Sequence, residues 1–261
     1  MPFPPVDHPV PGTDAILRVE GTADGRDIGV RGDLDTADAA TVEAVAAAAI
    51  GHGALGDDPP VRLLAHHPAD RLLPLPEAVA ERLGFHPRRD LFQMRRPLPV
   101  AADDPGRDGA PPLPLRPFDP ARDAEAWVRT NNRAFATHPS QGQQTLATLE
   151  ATLAEPWVDL DGFLVTDDPD RPGELAGSCW TRVHPATDDD PVLGEIFVIG
   201  VDPSQHGRRL GQTLVLAGLD HLAWSGVSTG MLYVEADNEP ALHLYRRLGF
   251  AVHLHYRIST R

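Results

Sequence analysis

The chain has 261 residues, 41% of them hydrophobic, and a formal net charge of −15, so it has apolar content for one large or two modest domains. That acidic balance excludes nucleic acid or an anionic membrane as the main partner. All 23 basic residues are arginine, which removes lysine Schiff-base chemistry and a Walker-type phosphate loop, and the single cysteine, Cys179, removes an internal disulfide and a multi-cysteine metal site. The first residues form no basic-then-apolar leader and there is no run of about 18 apolar residues, so a soluble cytoplasmic protein is expected.

In chain order, Ile16–Gly32 supplies two strands at best, Asp38–Ile50 is an alanine-rich helix, and Val61–His66 is a strand. Glu81-Arg82-Leu83-Gly84-Phe85 closes a further helix, and Asp90–Arg96 alternates as a strand. Pro97–Pro117 is rich in proline, glycine and acid and reads as a linker. It divides a shortened region, residues 1–96, from a domain at residues 113–261, with 97–112 as the connection.

The second region has a fuller order. Asp123–Phe135 and Gln144–Ala154 are helices; Gly162–Thr166 and Leu175–Val183 are strands joined through Asp167-Asp168-Pro169-Asp170, a turn cluster. Glu195–Val201 is almost wholly apolar and is expected to be buried on both faces. A helix from about Gln205 to Ser225, a strand Met231–Glu235, a helix Pro240–Leu248 and a strand Ala251–Ile258 complete a mixed α/β domain with a central sheet. Arg246-Arg247-Leu248-Gly249-Phe250 repeats the helix-closing signature of residues 81–85, with glycine where a left-handed position is favoured. The match suggests an internal duplication whose first copy is a structural remnant.

The chemistry concentrates between Gly194 and Gly211. Val201-Asp202-Pro203-Ser204-Gln205-His206-Gly207-Arg208-Arg209-Leu210-Gly211 joins the apolar strand to a long helix. Free amides at a helix start, its positive dipole end, two glycines and two arginines suit a diphosphate. The same residues also suit an ordinary helix start. Among the other candidates, Cys179 alternates with Leu175 and Gly177 and reads as a buried small side chain. His66, His67, His184, His253 and His255 lack companions at metal-ligand spacing and read as strand or surface histidines, so no metal is expected; Asp188-Asp189-Asp190 reads as a solvated loop.

The turn is similar to the pyrophosphate loop of the GNAT superfamily of acetyltransferases, Gln/Arg-x-x-Gly-x-Gly/Ala, with His206 where glutamine is usual and Arg209 where the middle glycine is usual. Asn238-Glu239-Pro240-Ala241-Leu242-His243-Leu244-Tyr245-Arg246-Arg247-Leu248-Gly249-Phe250 resembles that superfamily's Asn-x-x-Ala-x-x-Leu-Tyr-x-x-x-Gly-Phe segment. Asn131-Asn132-Arg133-Ala134-Phe135 with His138-Pro139 and Gln141-Gly142, then Glu155-Pro156-Trp157, Trp180–Pro185, Gly194–Pro203 and Leu232–Asn238 resemble the mycothiol synthase family of tandem GNAT proteins. That resemblance covers nearly all of Leu113–Arg261 and returns weakly near Val61–Arg96.

It implies a GNAT fold and direct transfer of acetyl from acetyl-CoA to the cysteinyl amine of Cys-GlcN-Ins, a small-molecule partner. Residue by residue it implies Glu195 as general base and Tyr245 as general acid. Acetyl-CoA contacts fall on Ile199, Gly200 and Val201, on His206, Gly207, Arg208, Arg209, Leu210, Gly211 and Gln212, and on Asn238, Glu239, Pro240, Ala241, Leu242 and His243. Arg182, Glu195 and Tyr233 are the implied substrate contacts, with Arg182 where the family has lysine and Ser140 where it has glutamate. At the start of a buried strand, desolvation is expected to raise the Glu195 carboxyl toward a useful range. An enzyme for another small amine and a CoA-binding module with impaired catalysis are the alternatives.

Overall fold

The computed structural model describes residues 3–22, 25–32, 34–52, 60–136, 141–187 and 190–261. Its two compact units do not follow one cut in the chain. The first holds Met1–Gln93, Val234–Glu239 and Val252–Arg261; the second holds Met94–Tyr233 and Pro240–Ala251.

In the first unit, β1 (Phe3–Pro9), β2 (Ile16–Thr22) and β3 (Gly25–Arg31) form an antiparallel meander. The two strands expected in Ile16–Gly32 are present. The additional strand β1 carries three prolines and lies at a sheet edge, where missing N–H groups leave no ladder bond broken. Helix α1 (Ala39–Gly51) crosses over to β4 (Val61–Pro68), which runs parallel to β3. Alternate residues of β4 are buried: Val61, Leu63, Ala65 and His67. Val61 and Leu63 pack with Leu17, Ile28, Leu75 and Val79, the last two from α2 (Pro74–Arg82). Gly84, at φ 72°, ends α2, with Phe85 N donating to Ala80 O at 2.9 Å. β5 (His86–Pro97) follows, and β11 (Ala251–Thr260) pairs antiparallel with β4 from Leu254 opposite Pro68 to Ser259 opposite Leu63.

The second unit contains β6 (Leu115–Pro117), α3 (Pro120–Ala134), α4 (Leu146–Leu153), β7 (Phe163–Asp167), β8 (Leu175–His184), β9 (Leu193–Val201), α5 (Leu210–Trp224), β10 (Thr229–Glu235, as far as Tyr233) and α6 (Glu239–Arg247, from Pro240). Strand order is β10-β9-β8-β7-β6, antiparallel except for β10 beside β9. Stacked aromatics form the core on the α3 side: Phe163 lies 4.1 Å from Phe118 and 4.3 Å from Trp180, with Trp127 edge-on to both Phe163 and Trp180. α5 packs against β8 at Gly218, where a Cβ would stand 2.7 Å from Cys179 Sγ.

The stretch expected to be a free linker is docked. Gln212 Nε2, on α5, donates to Gly106 O at 2.8 Å and Asp108 O at 3.0 Å, and Thr213 Oγ1 donates to Pro111 O at 2.8 Å. Arg107 makes a two-pronged ion pair with Asp220. A segment that cannot fold by itself is thus ordered by polar side chains that satisfy its carbonyls.

Candidate active site

β9 pairs with β8 in two registers. Trp180 faces Val198 and Thr181 faces Ile196, so Phe197 is the extra residue of a β-bulge. On its other edge, β9 meets β10 only at Gly194–Gly230 and Glu195–Met231. The apolar run expected to be buried on both faces is therefore half-exposed from Phe197 to Ile199. Peptide groups beyond Glu195 on that edge stand available to a guest.

The strand runs into a turn fixed from below. Asp202 is buried and accepts from Ser204 N at 3.0 Å, Arg133 Nε at 2.7 Å and Arg171 Nη2 at 2.9 Å. Burial alone would raise its carboxyl, but the bonds from Ser204, Arg133 and Arg171 hold it well below the usual carboxylate range. Pro203–Gln205 is a single 3-10 turn, and α5 begins only at Leu210 rather than near Gln205. The delay has a backbone cause: Gly207 lies at φ 78° and Arg209 at φ 59°, ψ 21°. Arg209 is the one non-glycine residue with positive φ among the described residues. An L-residue there costs roughly 1–2 kcal/mol, so the left-handed turn is kept even without the glycine. Its guanidinium lies against Gly109. No side chain caps the α5 start, and His206, Gly207 and Arg208 are exposed around it. Such an end attracts an anion. Gln212, by contrast, commits its side chain to the Gly106 and Asp108 carbonyls and its backbone N–H to Arg209 O, at 3.1 Å.

Opposite residues of neighbouring strands share a face, which brings Arg182 of β8, Glu195 of β9 and Met231 of β10 together, with His184 and Tyr233 one step along their strands. Glu195 is 7% exposed, and its Oε2 lies 2.7 Å from His184 Nε2. The Arg182 guanidinium sits over the Trp157 ring at 4.5 Å and near Phe197 at 5.8 Å. Tyr245 is buried on α6 beside Leu242, its ring edge-on to Phe250. Burial pushes its phenol well above the ordinary value, so it is protonated throughout the neutral range. Cys179 is fully buried and its thiol is pushed up to about 12, which removes it as a nucleophile at neutral pH.

Residues 125–250 match the acetyltransferase (GNAT) family. That part of the chain belongs to the GNAT family. A mycothiol acetyltransferase of Kocuria rhizophila is 43% identical over 178 residues, covering 68% of this chain and 59% of that protein. One from Acidimicrobium ferrooxidans is 49% identical over 172 residues, covering 66% of this chain and 54% of that protein. The chain thus matches between half and three-fifths of the length of these curated relatives. Two solved structures share the fold. A GCN5-related N-acetyltransferase from Sphaerobacter thermophilus has a TM-score of 0.65 at 20% identity, covering 95% of this chain and 76% of that one. A tandem GNAT protein from the clavulanic acid biosynthesis pathway has a TM-score of 0.57 at 20% identity, covering 95% of this chain and 78% of that one.

Within this GNAT chain, the second unit holds Glu195, Tyr245, Arg182, Tyr233, the turn residues 206–212 and Pro240–His243, whereas Asn238 and Glu239 belong to the first. Asn131 and Asn132, noted for their motif alone, tie down the chain after α3, since their amides donate to Gln141 O at 2.7 Å and Gln144 O at 2.8 Å. Ser140, His138, Pro139, Asp188 and Asp189 lie outside the described residues. Sequence reasoning missed the bulge at Phe197, the Trp157 shelf under Arg182, and above all His184 beside Glu195. The available signal for His184 was its two-residue spacing from Arg182 on an alternating strand. No helix among the described residues is long and apolar enough to cross a membrane.

Proposed function

We propose that this GNAT chain is an acetyl-CoA-dependent N-acetyltransferase that acetylates the cysteinyl amine of Cys-GlcN-Ins by direct transfer. The observation that carries this reading is a buried carboxylate, Glu195, on the same strand that leads into an uncapped, left-handed helix start. The mycothiol acetyltransferases it resembles at 43% and 49% identity point to the amine.

The α5 start, with Arg208 and Arg209, fits a diphosphate, and the freed edge of β9 fits the acyl-bearing arm. Acetyl-CoA supplies the activated acetyl group. Glu195 takes the proton from the substrate ammonium, whose ordinary pKa of about 8 asks for only a modest base. The freed nitrogen attacks the thioester carbonyl; a C–N bond forms, the C–S bond breaks, and Tyr245 gives its phenolic proton to the departing sulfur. Peptide N–H groups of Phe197–Val201 stabilise the oxyanion, each worth on the order of 3 kcal/mol. Arg182, held over the Trp157 ring, and the half-exposed Tyr233 contact the acceptor.

Thiol release from acetyl-CoA in the presence of Cys-GlcN-Ins tests the proposal, with wild type compared with Glu195→Gln. Release that depends on this amine and falls in the variant is expected. Release only with other amines sinks the substrate assignment, and none with any amine favours a CoA-binding module without catalysis.

A further inference from the structure

The polar face around Glu195 contains one titratable group that the transfer scheme leaves idle. His184 is the last residue of β8, with its Cα opposite Leu193, and its Nε2 reaches diagonally across the strand pair to Glu195 Oε2 at 2.7 Å. The His184 side chain is 30% exposed and that of Glu195 10%, so the imidazole stands between the carboxylate and solvent. The bond is short, as expected of a donor facing an ionised acceptor.

The other groups against Glu195 do not duplicate this contact. On β8, Arg182 pairs with it in register, but its guanidinium is drawn onto Trp157 and Phe197. On β10, Met231 is the register partner, and Tyr233 lies one step further on that face. From α5, Leu222 closes on Gly194 with apolar atoms.

We propose that His184 is a positioning residue for Glu195. Its Nε2–H donates to Oε2, fixes the rotation of the carboxyl group and leaves Oε1 directed to the amine. Both neutral imidazole and imidazolium supply this donor, provided that the neutral ring holds its proton on Nε2. The inference rests on Glu195 being the base.

The test compares wild type with His184→Ala, His184→Gln and Glu195→Gln in the full chain, following thiol release from acetyl-CoA with Cys-GlcN-Ins and thermal unfolding of each protein. His184→Ala is expected to lower kcat/KM roughly 10- to 100-fold, the range implied by loss of one hydrogen bond to a charged group. KM for acetyl-CoA should be unchanged. His184→Gln, whose amide can reach the same oxygen, should recover most of the rate. A folded His184→Ala protein with an unchanged rate overturns the proposal, as does a slow one with no recovery in His184→Gln. If Glu195→Gln itself keeps full activity, the base assignment has failed instead, and the two failures are thereby distinguished.

Discussion

Helices α1 and α5 each follow a strand and begin at a turn, and their starts are built in opposite ways. α1 begins after Asp38, whose carboxylate accepts from Ala40 N and Thr41 N, both at 3.0 Å. The helix has thereby supplied its own anion. α5 begins after Arg209, a left-handed residue that offers no side-chain cap. The first arrangement stabilises the unit that contains it; the second accepts strain and leaves a positive end open. That difference marks the α5 start, with its left-handed Arg209, as the more open of the two to an anion.

Substitutions can exchange or erase the features that set the two starts apart. The largest effect is expected from Glu195→Gln, which should lower kcat/KM by about 10²–10⁴-fold while thermal unfolding stays close to wild type. Next comes Arg209→Asp, which removes a cation from the α5 start and puts a carboxylate there. It should weaken acetyl-CoA binding tenfold or more, about 1.4 kcal/mol, as read by calorimetry. The reciprocal change, Asp38→Ala, should cost about 1 kcal/mol of stability in denaturant titration and leave acetyl-CoA affinity unchanged. Arg209→Gly should relieve backbone strain and stabilise the second unit by about 1 kcal/mol, less whatever the lost contact with Gly109 contributed. A separate effect, read through pH, belongs to His66 in the first unit. Burial lowers its imidazole from 6.5 to about 4, so between those values the unfolded chain binds more protons than the folded one. Stability should fall as pH drops through that window, and His66→Phe, which keeps a ring beside Tyr256, should flatten the dependence.

Much of this architecture was legible in the residues. The paired glycines at 84 and 249 end α2 and α6 at φ 72° and 77°, where only a residue without a Cβ is comfortable. The C-terminal strands and helices lie within a few residues of their expected bounds, because their apolar periodicity is strong. What could not be read depends on partners distant in sequence. The docking of residues 97–112 needs Gln212, Thr213 and Asp220 on α5, over a hundred positions away for each contact. The half-exposure of Phe197–Ile199 follows from β10 leaving β9 after Met231, which composition does not encode. The Glu195–His184 contact depends on antiparallel register, and so on the bulge that sets it. Arg209 is the instructive case: by residue type it argued against the tight turn, yet the backbone adopts the turn regardless.

Calorimetric titration of acetyl-CoA into the full chain, with Arg209→Asp and Asp38→Ala alongside wild type, probes the contrast between the two helix starts without intermediaries. One molecule should bind per chain, with binding weakened by Arg209→Asp and untouched by Asp38→Ala. Two molecules per chain, or affinity that responds to Asp38 and not to Arg209, would contradict the assignment of the open α5 start as the diphosphate site.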